Sequence, residues 1–506
     1  MPNGRAVYRW RLNRVVDGWG NEIVYEYQEE SGGYCQRAGY LSAIRYNRKA
    51  DGTWGTEILF ERHTRLGEPD GTDRPEYLFF QQQHLDKVQV KQNGQLVREY
   101  RLAYDFNGES RRLQSLTEYG SDGSALPATT FEYEVLNNTK PEWCPYHTYP
   151  YSRLSAVNNG YGGRIEIAYE QAIGKADFYY HYRVLERRTR DGRGNTTRRG
   201  YAYGPPCMDA TDSKCDDGYR DWALKGYEWS AERTYDYDGR LLTVVTSTYV
   251  LPWPLTGRVG VLEAADAQGA TRQRTETGWG YDWLISSTVD YVTGVAFYHV
   301  DVVTETVVSG GVGAAARVRY IYDGYGNVSG EYHDGNIALW GDETSVTREY
   351  VVNETTWIVG LPAYETSGGQ ETLYVYDNQP WGTAPITGAL TQVRVGNGDL
   401  WITTTTQYDA WGNPTVVTDP LGRVTRTRYD SVYRQFPIST TNALTQTTLT
   451  QWDARWGVPL VVTDANVAPT RYGYDSFGRL TSVTRPGDSV PAIRYAYPIG
   501  SAVSAP

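Results

Sequence analysis

The sequence predicts an all-β chain: a long, twisted antiparallel sheet of hairpins, coiled into a spiral or a partial hollow shell. Three observations predict it. The 506 residues include 44 Tyr, 16 Trp and 53 Gly but only 2 Met, a bias toward residues that fit a pleated surface and residues that make turns. One short phrase, aromatic–Asp–x–aromatic–Gly–polar, recurs along the chain, and repetition at a fixed period marks a repeat architecture. No stretch carries the 3.6-residue apolar period of an amphipathic helix, whereas strict alternation is frequent.

The phrase is clearest as Tyr322-Asp323-Gly324-Tyr325-Gly326-Asn327, Tyr408-Asp409-Ala410-Trp411-Gly412-Asn413 and Tyr474-Asp475-Ser476-Phe477-Gly478-Arg479. Looser copies are Tyr429-Asp430-Ser431-Val432-Tyr433-Arg434 and Trp452-Asp453-Ala454-Arg455-Trp456-Gly457. Earlier cousins stand at 16–21, 191–195 and 237–240. The Asp residues at 409, 430, 453 and 475 are separated by 21, 23 and 22 residues. Asp starts a turn by bonding the backbone two residues on, and Gly supplies the positive φ that the turn needs. The β-forming runs Pro414–Thr418 and Leu480–Thr484 follow the turns. A second turn, Asp419-Pro420-Leu421-Gly422-Arg423, then leads into the alternating run Val424–Tyr429. One repeat is thus one hairpin per 22 residues or so.

Alternation supports strands elsewhere: Ile23, Tyr25 and Tyr27 share one face, as do Ile165, Ile167 and Tyr169. About twenty such hairpins at ~4.8 Å per strand would span on the order of 190 Å if laid flat, and a sheet that wide must coil.

Composition excludes several classes. An apolar share of 40% rules out a mainly disordered chain, and a net charge of -11 argues against a broad basic nucleic-acid surface. No run reaches the ~18 apolar residues of a membrane span, and the first residues have no apolar leader segment. Cys35, Cys144, Cys207 and Cys215 are too few to frame a chain of this length. Cys207 and Cys215 lie in an acidic loop where a local disulfide and two free thiols are both open readings. A zinc site there lacks CxxC pairs and spaced His.

Enzyme signals are poor. The six His make no HExxH, and there is no GxSxG elbow or P-loop. Glu132-Tyr133-Glu134 has the Glu-x-Glu spacing of some ADP-ribosyltransferases, but it sits in an alternating strand as a solvated face. His181, within Tyr179–Arg183, reads as part of a packed aromatic strand. Asp209, Asp212, Asp216 and Asp217 offer Ca²⁺ ligands, but without EF-hand spacing they read as an acidic loop. No catalytic, cofactor-binding or metal residue is assigned. Trp19, Trp411 and Trp456 hold one repeat position, which favours packing over sugar stacking. All but seven of the 49 basic residues are Arg; cross-strand ladders with Tyr and Asp and simple codon bias both account for that.

These Tyr-Asp phrases resemble the YD repeats of the Rhs family, which includes the B and C components of insecticidal Tc toxins, bacterial Rhs polymorphic toxins and animal teneurins. The match is clearest over about 318–490 and weak over about 205–315. Residues 17–27, 40–46, 126–133 and 154–163 resemble strand-rich regions of B components and Salmonella virulence plasmid B-type proteins. Three segments follow: an N-terminal strand-rich region (1–135), a divergent continuation (136–317) and a YD-repeat region (318–506).

The resemblance implies a non-enzymatic, secreted bacterial wall segment that encloses a toxic C-terminal cargo. The repeat residues Tyr322, Asp323, Gly326, Tyr408, Asp409, Gly412, Tyr429, Asp430, Trp452, Asp453, Gly457, Tyr474, Asp475 and Gly478 would be structural. Implied partners are a plug or toxin segment, a partner shell protein and a Tc A-type translocation component. No plug, toxin or β-propeller pattern is visible, so the chain reads as a fragment or half of a split gene, with an open sheet edge. The alternative is a surface adhesion or carbohydrate-binding module of the teneurin kind. A glycan-active β enzyme ranks third.

Overall fold

A computed structural model describes residues 11–29, 39–49, 51–64, 83–106, 111–137, 150–173, 180–208, 224–252, 255–285, 295–309, 312–397 and 400–497. These residues contain strands and turns and no helix. Thirty-two strands form one sheet, and a separate two-stranded ribbon pairs Pro206–Met208 with Leu224–Tyr227. The described pairings are antiparallel and join strands adjacent in sequence, as in Arg164–Ile173 with Tyr180–Arg190. The exception is Thr196–Tyr203, which pairs Trp229–Tyr235 across the ribbon. Short turns between antiparallel strands produce this meander.

The chain divides into two compact units. One comprises residues 1–129, 353–358 and 373–501; the other comprises 130–352, 359–372 and 502–506. Strand length changes along the sequence. Thr271–Ile285 and Val295–Ser309 have 15 residues each, whereas Pro414–Thr418, Pro437–Thr441 and Leu480–Thr484 have five. The 22-residue hairpin therefore describes the last part of the chain. Longer strands before it leave 34 among the described residues, fewer than twenty hairpins would need.

Few side chains are fully buried. Most strand positions are half-exposed on both faces, as in Gln83–Gln92 and Val458–Thr463. No second layer of helices packs on the described sheet, so its faces must be covered by their own long side chains. Arg, Glu and Tyr supply that cover. Arg164 joins Glu166 of its own strand at 3.0 Å and reaches Glu132, two strands away, at 2.5 Å. Arg348 bridges Glu331 and Glu365 at 3.3 and 2.8 Å, and Asp334 receives both Arg317 and Arg319. The Arg198 guanidinium lies 3.8 Å from the Tyr235 ring centre, and that of Arg258 lies 4.1 Å from Tyr298. Planar guanidinium groups pair with carboxylates through a fork and stack on rings. The Arg excess thus has a structural use.

Glu132 belongs to this ladder. It accepts two bonds from Arg164 and one from Asn158. These bonds, the Arg164 bond foremost, hold its carboxyl down to about 2. Arg164→Ala should return that carboxyl toward the ordinary Glu value of about 4.3. Side-chain carboxyl titration by NMR checks this, and an unmoved Glu132 would contradict the ladder.

Candidate functional site

The recurring Asp builds one turn geometry. In Asp409–Asn413 the Asp409 Oδ1 accepts the backbone N–H of Trp411 and of Asn413, both at 2.9 Å. Its Oδ2 accepts the Asn413 side-chain amide at 2.9 Å. The backbone closes the same ring, with Asp409 N donating to Asn413 O and Gly412 N to Asp409 O. Gly412 stands at φ +86°, where L-residues are strained.

Asp323 repeats the arrangement with Tyr325, Gly326 and Asn327, and Asp475 with Phe477, Gly478 and Arg479. In the Asp475 turn the Arg479 Nε replaces the Asn amide at 2.7 Å. Asp430 spans a turn two residues longer and accepts from Val432, Tyr433, Gln435 and Phe436. Asp453 accepts the Arg455 N–H and a two-pronged guanidinium contact, and Gly457 donates back to its carbonyl at 2.8 Å.

The same bonding occurs at turns whose sequences depart from the phrase. Asp236, Asp266, Asn159, Asn442 and Asp464 each accept the N–H groups two and four residues on. Asp419, Asn442 and Asp464 close the opposite ends of the hairpins. They keep the same period but lack the aromatic. Asn442 and Asp464 also lack Gly; Thr445 and Val467 take its place at φ +62°. Spacing to the next Asp or Asn is the signal that finds them.

The Tyr of each phrase has its own task. The ladder shifts register immediately before Tyr322, Tyr408, Tyr429, Trp452 and Tyr474. A bulge re-aims the side chain that follows it. Each ring then reaches back one hairpin: Tyr429 Oη donates to Pro414 O at 3.2 Å and Tyr474 Oη to Pro459 O at 2.9 Å. Tyr408 donates to Leu390 O at 2.8 Å, and Tyr322 to Val300 O at 2.9 Å. Trp452 does the same work with its indole N–H, which donates to Pro437 O at 2.9 Å. That explains why Trp replaces Tyr in this copy: both carry a donor at the far edge of a flat ring. Pro437 and Pro459 in turn lie opposite Tyr429 and Trp452 in the ladder, so the bonds stitch successive hairpins together.

Within the first unit, the turns also pack on turns far away in sequence. The Asn21 amide donates to Trp411 O at 3.0 Å, and the Trp19 and Tyr408 rings lie 5.7 Å apart. The Asn93 amide meets the Tyr433 hydroxyl. Arg98 lies 4.8 Å over Trp456. Ser124 Oγ is 3.0 Å from Ser476 Oγ. The partners advance in parallel: 21, 93, 98 and 124 against 411, 433, 456 and 476. The N-terminal hairpins therefore run along one row of repeat turns.

Charge follows the geometry. Burial pushes the Asp323 and Asp430 carboxyls up, but donated N–H groups outweigh it and both lie below the usual range. The Arg455 bond does this for Asp453. Burial raises Tyr322, Tyr408, Tyr429 and Tyr474, and pushes Tyr376 up to about 12.

Other candidate groups are engaged or lie elsewhere. His63, His299 and His333 face carboxylates. The His181 side chain and the cluster Asp209, Asp212, Asp216, Asp217 and Cys215 lie outside the described residues. Cys207 is buried and disulfide-bonded, and the other three Cys lie outside the described residues. Among the described residues no group of three or more His, Cys, Asp or Glu is placed to hold a metal ion.

Two expectations follow. A carboxylate with a lowered folded-state value stabilises the fold above its unfolded value, near 3.9, and loses that contribution as pH falls through the folded value. A phenol with a raised value stabilises below about 10 and loses that contribution as pH climbs toward the folded value. Denaturant midpoints should therefore fall both below pH ~4 and above pH ~10, and a flat profile at either end would contradict the assignments. Second, Gly412→Ala should cost more than Gly422→Ala. Both glycines have positive φ, with a penalty of about 1–2 kcal/mol. A Cβ at 412 would also meet the Trp19 ring at 2.7 Å, whereas one at 422 meets nothing within 4 Å. Equal losses in denaturant melts would contradict the turn-on-turn contact.

Comparison with known proteins agrees with this geometry. The family model described as RHS Repeat matches residues 408–447 and 459–490. No curated protein matches the chain. Among solved structures, TcdB2-TccC3-Cdc42 superposes with a TM-score of 0.72 at 10% identity, over 94% of this chain and 48% of that one. TcdB2-TccC3 gives 0.71 at 10% identity, over 94% and 49%. The Photorhabdus luminescens Tc holotoxin pore with mutated TccC3 gives 0.69 at 9% identity, over 93% and 47%. The chain spans about half the length of the chains it matches. Residues 408–447 and 459–490 thus carry RHS repeats, and the chain has the fold of TcdB2-TccC3.

Proposed function

We propose that the chain is a wall segment of a Tc-type toxin shell, secreted, and acting by enclosure instead of catalysis. The observation that carries this reading is the row of N-terminal turns seated on the repeat turns of the first unit, which lets a single-layer sheet stack on itself. A wall made this way needs no helical layer and excludes solvent and protease sterically. Its cargo would be a toxic polypeptide. Its partners would be a further shell or toxin segment and a Tc A-type translocation component. Such a segment could join the last strand, Ile493–Arg494, by continuing the ladder.

The test is to express the chain with the flanking coding region of its own gene neighbourhood and view the product by cryo-electron microscopy. A continuous β wall around a lumen, with a cargo that survives protease until the wall is denatured, is the expected result. An open or solid particle whose cargo is digested as fast as free cargo would refute it.

A further inference from the structure

The strands from Leu390–Asn397 to Ile493–Arg494 carry five arginines: Arg394, Arg426, Arg428, Arg471 and Arg494. The ladder puts all five on one face. Residues opposite one another in an antiparallel pair share a face, and so do positions two apart along a strand. Arg394 lies opposite Thr403, Thr405 opposite Thr418, and Val416 opposite Arg426. Beyond Arg428 the face passes through Ser439, Leu449 and Thr463. Val461 then lies opposite Arg471, and Ser482 opposite Arg494. No carboxylate on these strands offsets the charge. Glu371 is the last Glu of the chain. The one Asp within the strands, Asp453, is a buried strand end held by the Arg455 fork. The guanidinium groups of Arg426, Arg428, Arg471 and Arg494 have no hydrogen-bond or ion-pair partner among the described residues, and all four residues are exposed. Arg394 bonds only the neutral Gln392 Oε1, at 3.1 and 2.8 Å. Arg164 and Arg348, by contrast, each hold two Glu. A chain of net charge -11 thus keeps one cationic face.

We infer that this face binds an acidic polypeptide segment in extended conformation. The register and the usual strand dimensions set the arginines on a diagonal roughly 50 Å long, with steps of roughly 12–20 Å apart from the adjacent Arg426 and Arg428. An extended chain covers such a step in about four to six residues, and even spacings put its carboxylates on the arginine side. Guanidinium groups take carboxylates through a two-pronged contact. Between the arginines, Thr405, Thr418, Ser439, Thr463 and Ser482 offer hydroxyls to the bound backbone. The densest point is the Arg426–Arg428 pair. It borders a groove that Arg434 also lines, with its guanidinium 3.7 Å over the Trp411 ring. Asp409 and Asp430 border the groove as well, but their oxygens already accept the N–H groups of their own turns. The spacing argues against nucleic acid, whose phosphates follow one another at about 3.4 Å per strand of a duplex. Most of those charges would go unmatched. Single strands also need rings on which to stack, and among the described strand residues Trp401 is the one aromatic on this face.

Fluorescence anisotropy on the full chain tests this, with a labelled peptide of about 20 residues that has Glu at every fourth position and Ser or Gly between. Binding is expected at low salt with a dissociation constant of about 1–100 µM, and added salt should weaken it. Arg426→Glu together with Arg428→Glu should weaken it at least about tenfold without moving the melting temperature, because neither guanidinium has a partner in the fold. Arg471→Glu should weaken it severalfold. Arg485→Glu, the same change of charge at the exposed turn after Leu480–Thr484, should leave it within about twofold. No binding at about 100 µM, equal losses from Arg471→Glu and Arg485→Glu, or tighter binding of single-stranded DNA or a sulfated oligosaccharide of equal charge would each overturn the proposal. None of these outcomes bears on the enclosure reading, which is decided by the particle's lumen.

Discussion

Everything in this sheet depends on one small arrangement: a carboxylate that accepts the backbone N–H groups two and four residues ahead of it. A hairpin turn leaves those donors unpaired, and an unpaired donor near a packed surface costs about 1–3 kcal/mol. Asp409 satisfies both with one oxygen and holds the Asn413 amide with the other. That amide still has a hydrogen to give, and it donates to Arg434 O at 2.6 Å in the next repeat turn. Asn327 does the same toward Val359 O at 2.7 Å within the second unit. The carboxylate thus fixes a local turn and points a donor at its neighbour. Local folding and repeat-to-repeat contact come from the same group.

The tyrosine completes the repeat from the opposite direction. Asp acts forward along the chain, whereas the ring acts backward across one hairpin to a carbonyl. Between them they leave little for a second layer to do. The described sheet is a single layer, its faces are covered by Arg–Glu and Arg–Tyr ladders, and its few deeply buried side chains are mostly small, such as Ala43, Ala156, Ala231 and Ala363. Stability in such a design is spread along the sheet, as in other repeat proteins.

Much of this was legible in the sequence. The turn with Gly at +86° and the strands either side of Asp409 follow from the residue types alone. Two things were hidden. The Asn442 and Asp464 turns have no Gly, because bonding to the side chain can carry a non-glycine residue into the left-handed region. The bulge before each Tyr is also invisible, since alternation counts residues and cannot see a register shift. The pairing of residue 21 with 411, or of 124 with 476, is longer in range than any pattern in one sequence. Only the period hinted that such layers would match in spacing.

The most direct test of the account is a crosslink between those layers. Ser124 and Ser476, 352 residues apart, have their hydroxyls 3.0 Å from one another. A Ser124→Cys and Ser476→Cys pair, oxidised in the folded chain and read by peptide mass spectrometry, should bridge in nearly every molecule and neither single variant should form that peptide. If the double variant stays reduced at these positions while the chain remains folded, the N-terminal hairpins do not lie on the repeat turns, and the stacked-wall account fails.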